Sequence, residues 1–179
     1  MNESKISVRY SRALFESALE KKVLDNIYKD MILVSEICAM PEVKDVLKNP
    51  VIPASRKQTI LKAIFGKNVD RLTISLIEMV VKNGREKFIP AIARVFIHET
   101  LKYKGITEAT LTTAVKVDNK IIEQISDLIS KMSGTVVELK EVIDRNIIGG
   151  FILKIDDNYL DASIRNKLKK IEKELKVVF

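Results

Sequence analysis

Apolar residues recur at three- and four-residue steps through the first part of the chain. Ile6, Tyr10, Ala13, Leu14, Ala18 and Leu19 form one such stripe and predict an amphipathic helix of about four turns. Leu24, Ile27, Met31, Val34, Ile37 and Cys38 predict a second. Pro41 closes that helix and opens a short one through Val43, Val46 and Leu47. Asn49-Pro50 ends it, because the residue before a proline is pushed out of the helical region. Pro53 suits the first turn of a fourth helix, carrying Ile60, Leu61, Ile64 and Phe65 to a stop at Gly66. Leu72, Ser75, Leu76, Met79 and Val80 mark a fifth, ended at Asn83-Gly84. Phe88, Ile92, Val95, Phe96 and Leu101 mark a sixth, ended at Gly105. Short helices joined by brief loops predict a bundle.

After Gly105 the period becomes two. Ala109, Leu111, Thr113 and Val115 share one face of a predicted strand. Asp118 or Asn119 can cap a helix that turns Ile121, Ile122, Ile125, Leu128, Ile129 and Met132 inward, and Gly134 suits its end. A second strand follows over 135–142. Phe151, Leu153 and Ile155 line a third, and Tyr159-Leu160 returns from an Asp156-Asp157-Asn158 turn. The last helix carries Ile164, Leu168, Ile171 and Leu175, with Arg165, Lys167, Lys169, Lys170 and Lys173 around them. Its stripe suits either packing on the sheet or a partner helix lying along the same seam. The fold class expected is therefore mainly α with a smaller α+β domain: an N-terminal six-helix bundle over 1–104, then a C-terminal sheet-and-helix domain over 105–179.

Charge sharpens that division. The net charge is +7, all of it in residues 1–104, whereas acids and bases balance in 105–179. A basic half can attract nucleic acid, anionic lipid or an acidic protein. Here the basic residues are dispersed among acids and accompany no aromatic-studded strand, which favours an ordinary solvated surface. A basic helical adaptor for nucleic acid stays as the alternative reading.

Candidate chemistry changes the picture little. Cys38, the only cysteine, sits on an apolar helical stripe and reads as packing. His98 is the only histidine, and one His with one Cys cannot make a structural zinc site. Asp156, Asp157 and Asp161 read as turn and cap residues. Gly149-Gly150 suits a tight turn or a close backbone approach; a nucleotide loop would need further glycines before a helix. No catalytic, cofactor or metal residues are expected. The longest apolar runs fall far short of the roughly 18 residues of a membrane span. The N-terminal residues lack the apolar stretch of a signal peptide, so a soluble cytoplasmic protein is expected.

Several segments, taken in order, resemble one family. Arg9-Tyr10-Ser11-Arg12-Ala13-Leu14-Phe15 is similar to the opening helix of the F-type ATP synthase delta subunit, the counterpart of the mitochondrial oligomycin-sensitivity-conferring protein. Alanine is usual in that family where this chain has Ser11. Asn49-Pro50-Val51-Ile52-Pro53 with Lys57 resembles its middle loop, and Asn83-Gly84-Arg85 its turn before the sixth helix. Ile148-Gly149-Gly150-Phe151 with Asp161-Ala162-Ser163-Ile164-Arg165 resembles its C-terminal signature. The residues Gly149, Gly150, Asp161, Ser163 and Arg165 carry that signature here.

The resemblance implies a non-catalytic stator subunit. Its helical domain would hold the N-terminal tail of an alpha subunit of the catalytic headpiece. Its second domain would hold the membrane-anchored b-subunit stalk. The implied tail groove lies between the first and fifth helices, with Tyr10, Ala13 and Leu14 from one and Ser75 and Met79 from the other. The resemblance also implies no nucleic acid, one copy per complex, and a peripheral place on the cytoplasmic side of a bacterial plasma membrane, reached only through the complex.

Overall fold

The computed structural model describes residues 5–156 and 158–178, the last six for their backbone alone. Asp157 of the expected turn, and the side chains of Lys173 and Leu175, lie outside the described residues. The described residues form eight α-helices and a four-stranded mixed sheet. The chain divides into two compact units, Met1–Thr100 and Leu101–Phe179.

The first unit comprises α1 (Lys5–Glu20), α2 (Leu24–Ala39), α3 (Pro41–Lys48), α4 (Ala54–Phe65), α5 (Arg71–Lys82), a 3-10 turn at Glu86–Phe88, and α6 (Ile89–Tyr103), whose last residues pass the division. One apolar cluster takes residues from all six helices, among them Leu14, Met31, Leu47, Phe65, Val80 and Phe96. Burying each such side chain stabilises the fold by about 1.5–3 kcal/mol. Phe15 meets Phe96 edge to face, with ring centroids 6.1 Å apart.

Three details depart from the expected pattern. The buried stripe of α1 is Ser7, Ser11, Leu14 and Ala18, so the helix is rotated away from Ile6, Tyr10 and Ala13. Small side chains permit that rotation, and the Ser11 hydroxyl donates to Glu99 Oε2 of α6 at 3.0 Å. Pro53 precedes α4 as its N-cap rather than sitting in the first turn. Phe88 belongs to the 3-10 turn, not to α6.

The second unit contains β1 (Ile106–Thr113), α7 (Asn119–Ser133), β2 (Val136–Ile143), a 3-10 turn at Arg145–Ile147, β3 (Phe151–Ile155), β4 (Asn158–Asp161) and α8 (Ile164–Val178). The sheet order is β2-β1-β3-β4. A β1–α7–β2 crossover makes the β1/β2 pair parallel, with Ile106 beside Val136. The β1/β3 and β3/β4 pairs are antiparallel. Thr107, Ala109, Leu111 and Thr113 form the buried face of β1. Asp118 caps α7 by accepting from Lys120 N, and Gly134 ends it in the left-handed region.

Several residues expected to point inward face solvent instead. Val115 lies beyond β1 and is exposed. On α7, Ile129 is buried and Ile122 and Ile125 are half-buried, whereas Ile121, Leu128 and Met132 face solvent, Met132 at 80%. The apolar sector of α7 is wider than the surface its neighbours in the fold cover. Of the α8 stripe, Ile164, Leu168 and Ile171 are likewise exposed.

Candidate docking site

The face between α1 and α5 follows from their helical phase. Both helices turn one stripe into the core: Leu14 and Ala18 from α1, Leu76 and Val80 from α5. Residues one position round from each stripe then flank the seam where the helices meet. Tyr10 is half-buried there and its hydroxyl accepts from Asn83 Nδ2 at 3.0 Å, joining α1 to the end of α5. Ala13, Ser75 and Met79 are exposed, Met79 at 53%. Ser75 turns its hydroxyl back onto the Arg71 carbonyl at 2.8 Å, so its outer surface is nearly apolar. Leu14 differs from the other four: it is 3% exposed and belongs to the core, not to an open groove wall.

A second constructed corner lies where β3, β4 and α8 meet. Gly150 has φ +75°, and a Cβ there would lie 2.4 Å from the Ala162 carbonyl oxygen. A Cβ on Gly149 would lie 2.8 Å from Ile164 Cδ1. The glycine pair therefore admits a close approach of this chain's own backbone, sealed by Ile164 N donating to the Gly149 carbonyl at 2.9 Å. Ser163 caps α8: its hydroxyl oxygen accepts from Asn166 N at 3.2 Å. Asp161 accepts from Ser163 N at 2.9 Å. Hydrogen bonding from Ser163, with smaller help from Lys170 and Lys169, holds the Asp161 carboxyl below the usual carboxylate range. Arg165 is exposed on the first turn of α8. Gly149, Gly150, Asp161 and Ser163 thus come together as a structural joint, while Arg165 points outward from it.

A family model described as the ATP synthase delta (OSCP) subunit matches residues 6–175. The ATP synthase subunit delta of Christiangramia forsetii is 32% identical over 177 residues, covering 98% of this chain and 96% of that protein. That of Parabacteroides distasonis is 34% identical over 172 residues, covering 96% of each. The fold also matches a chain in the cryo-EM structure of the Toxoplasma gondii mitochondrial ATP synthase hexamer, with a TM-score of 0.72 at 20% identity, over 96% of this chain and 98% of that one.

The chain belongs to the ATP synthase delta (OSCP) subunit family. It is a peripheral stalk subunit of the synthase complex, and it is structural rather than catalytic.

The Cys38 thiol is buried in the core, and burial pushes its pKa up to about 11, so it is not a nucleophile. His98 is exposed on α6. Among the described residues no cluster of His, Cys, Asp or Glu could hold a metal, and no helix is long and apolar enough to cross a membrane.

Two structural ties escaped the sequence reading. Lys57 Nζ donates to Glu86 Oε1 at 2.5 Å and to the Leu47 carbonyl at 3.4 Å, locking α4 to the 3-10 turn and to the end of α3. Asp30 Oδ2 on α2 accepts from Asp70 N at 2.6 Å and from Thr73 Oγ1 at 2.8 Å, which fixes the start of α5. Lys57 stood out in sequence only through its motif, and nothing local in the sequence marked Glu86, Asp30 or Asp70 as partners in these ties.

Proposed function

We propose that this subunit is a stator clamp, holding the N-terminal tail of the alpha subunit with its helical unit and the b-subunit stalk with its sheet unit. In this reading helices α1–α6 act as one bundle, and the tail lies as a helix over the seam of α1 and α5. The observation that carries it is the exposed strip of Ala13, Ser75 and Met79 beside half-buried Tyr10, in a family of peripheral stalk subunits. Small residues let a helix approach closely, and a methionine adapts its shape to the occupant. Residues 105–179 present the open stripes of α7 and α8 to the stalk. One copy serves each complex, on the cytoplasmic side of a bacterial plasma membrane, which the subunit meets only through its partners.

The energy scale constrains such a clamp. Each proton crossing releases roughly 2.3 kcal/mol per 100 mV. A few protons per ATP place on the order of 10 kcal/mol behind the twist. A nanomolar complex has about 12 kcal/mol of binding free energy, so docking must be tight and slow to release. Apolar burial in a helix groove supplies that.

Ala13→Asp tests the site. Ala13 is exposed, so the fold should tolerate the change, while a carboxylate would lie unpaired in the occupied groove. Calorimetric titration with an alpha-tail peptide should show affinity reduced by at least about tenfold. Unchanged affinity would remove Ala13 from the site.

A further inference from the structure

The apolar face of the sheet is open on its β3/β4 side. Cross-strand pairing puts Leu111 of β1, Leu153 of β3 and Leu160 of β4 on one face, with Phe151 beside Thr113. Leu111 is buried, yet Phe151 and Leu160 on the same face are exposed, Leu160 at 55%. Helix α7 covers the other side. It packs along β2 and turns buried Ile129 and half-buried Ile122 onto the apolar face, where Leu111 and half-buried Leu139 lie. Ile121, Ile125, Leu128 and Met132 form a second stripe on α7, at steps of four, three and four. Helical phase sets it about a quarter turn from Ile129, and three of its four residues are exposed.

Chirality fixes where that stripe points. Crossovers between parallel strands are right-handed. With α7 in front of the sheet and β1 and β2 pointing up, β2 then lies to the right of β1 and β3 to its left, and α7 descends. A right-handed helix descending with Ile129 against the sheet turns Leu128, one residue earlier, to the left. The second stripe therefore faces β3 and β4, as the wall of an apolar groove whose floor is Phe151, Leu153 and Leu160. One end of the groove is basic. Strands β1, β2 and β4 finish there, and α7 and α8 start there. Lys116, Lys120, Arg145, Arg165 and Lys167 are exposed at that end, and none makes an ion pair among the described residues. The acids of the same end are committed to the fold: Asp118 accepts from Lys120 N, Glu141 from Val117 N, Asp144 from Asn146 N and Asp161 from Ser163 N. A cation in a first helical turn opposes the helix dipole, so Lys120 and Arg165 do not serve their own helices. At the other end the β3/β4 turn carries exposed Asp156.

We infer that this groove seats one amphipathic helix of the stalk, lying beside α7 as a second helix on the sheet, with its acidic end over Lys120 and Arg165. The apolar wall and floor supply most of the affinity, while the basic end sets orientation and speeds encounter. The 4-3-4 spacing of the wall matches a partner stripe of about four turns. The inference rests on the stalk reading of residues 105–179 and adds the face that is used and the charge of the helix end that reaches it.

The test uses the full-length protein, and the probe is the purified extramembrane part of the cognate b subunit. Leu128→Lys/Met132→Lys should keep the wild-type circular dichroism, since both residues are exposed, and bind at least about tenfold more weakly. Lys120→Glu/Arg165→Glu places acids where helix dipoles favour them, so the fold should hold. Its binding should weaken about tenfold at low salt, mostly in the association rate, and about threefold near 0.5 M salt. Lys154→Glu, paired with Tyr159 on the opposite face of the sheet, should bind within about twofold of wild type. Wild-type affinity in Leu128→Lys/Met132→Lys would overturn the groove and leave the stalk reading standing. No binding by the wild type would overturn both. Equal losses in Lys154→Glu and Lys120→Glu/Arg165→Glu would overturn the placing of the acidic end. A dimer of the free subunit that Leu128→Lys/Met132→Lys breaks, seen by light scattering, would overturn the inference in favour of a second copy.

Discussion

Lys57 and Glu86 are charged, yet their side chains are only 3% and 14% exposed. Removing one partner leaves the other charge buried, so Lys57→Met should cost about 3 kcal/mol in urea unfolding, and Lys57→Met/Glu86→Leu should recover much of it. Burial alone would raise the Glu86 carboxyl. Hydrogen bonding from Lys57 and from backbone, with the charges of Lys57 and Lys87, outweighs it and holds the group below its ordinary value of 4.5. A lowered folded-state pKa contributes stability that is present above about pH 4.5 and lost as the pH falls through the folded value. The double variant should therefore lose less stability than wild type across that acid window. Lys57 was visible as part of a motif, but its partner, 29 residues away, was not. Glycine supplies a second residue-scale contrast. Gly134 and Gly150 share a positive φ, but only Gly150 has backbone where a Cβ would go. Gly134→Ala should cost about 1 kcal/mol and Gly150→Ala about 2–3 kcal/mol more, and equal costs in the two melts would refute the close-approach account.

Among the elements, α7 and α8 show how far a pattern can be read. Their apolar periodicity predicted two helices, and both formed where expected, α7 between its expected cap Asp118 and stop Gly134. Periodicity gives the axis of an apolar stripe but not how much of it a neighbour will cover. On α7 the fold buries Ile129 and leaves Leu128 open. Ile129→Ala should therefore destabilise by about 2–4 kcal/mol, whereas Leu128→Lys should stay within about 0.5 kcal/mol. Chemical denaturation of the two variants checks this directly. For α8, loss of the Ser163 cap by Ser163→Ala should cost about 1 kcal/mol, read as reduced helical circular dichroism and a lower unfolding midpoint. The small rotation of α1 had a visible clue in Ser7 and Ser11, since serines on a buried stripe mark close helix approach. A stripe defined by apolar residues alone passed over them.

For the whole molecule, two compact units and a one-sided charge suggest two grips on two partners. A chain ending at residue 104 retains all of α6 and should still bind an alpha-tail peptide within about threefold, but not the b subunit. Retained stalk binding in a pull-down would refute the division of labour. By itself the order of amino acids determined the run of helices and strands, the Asp118 cap and Gly134 stop of α7, the change of period at Gly105 and, through its motifs, the family. Those features are local, or depend on spacing along the chain, and so survive without coordinates. Only the tertiary structure decided which side of α1 is core, that Leu14 is buried while Ala13, Ser75 and Met79 stay open, that Lys57 finds Glu86, and that α7 and α8 leave apolar surface uncovered. Burial is set by what packs against a residue from distant parts of the chain, and no periodicity records that.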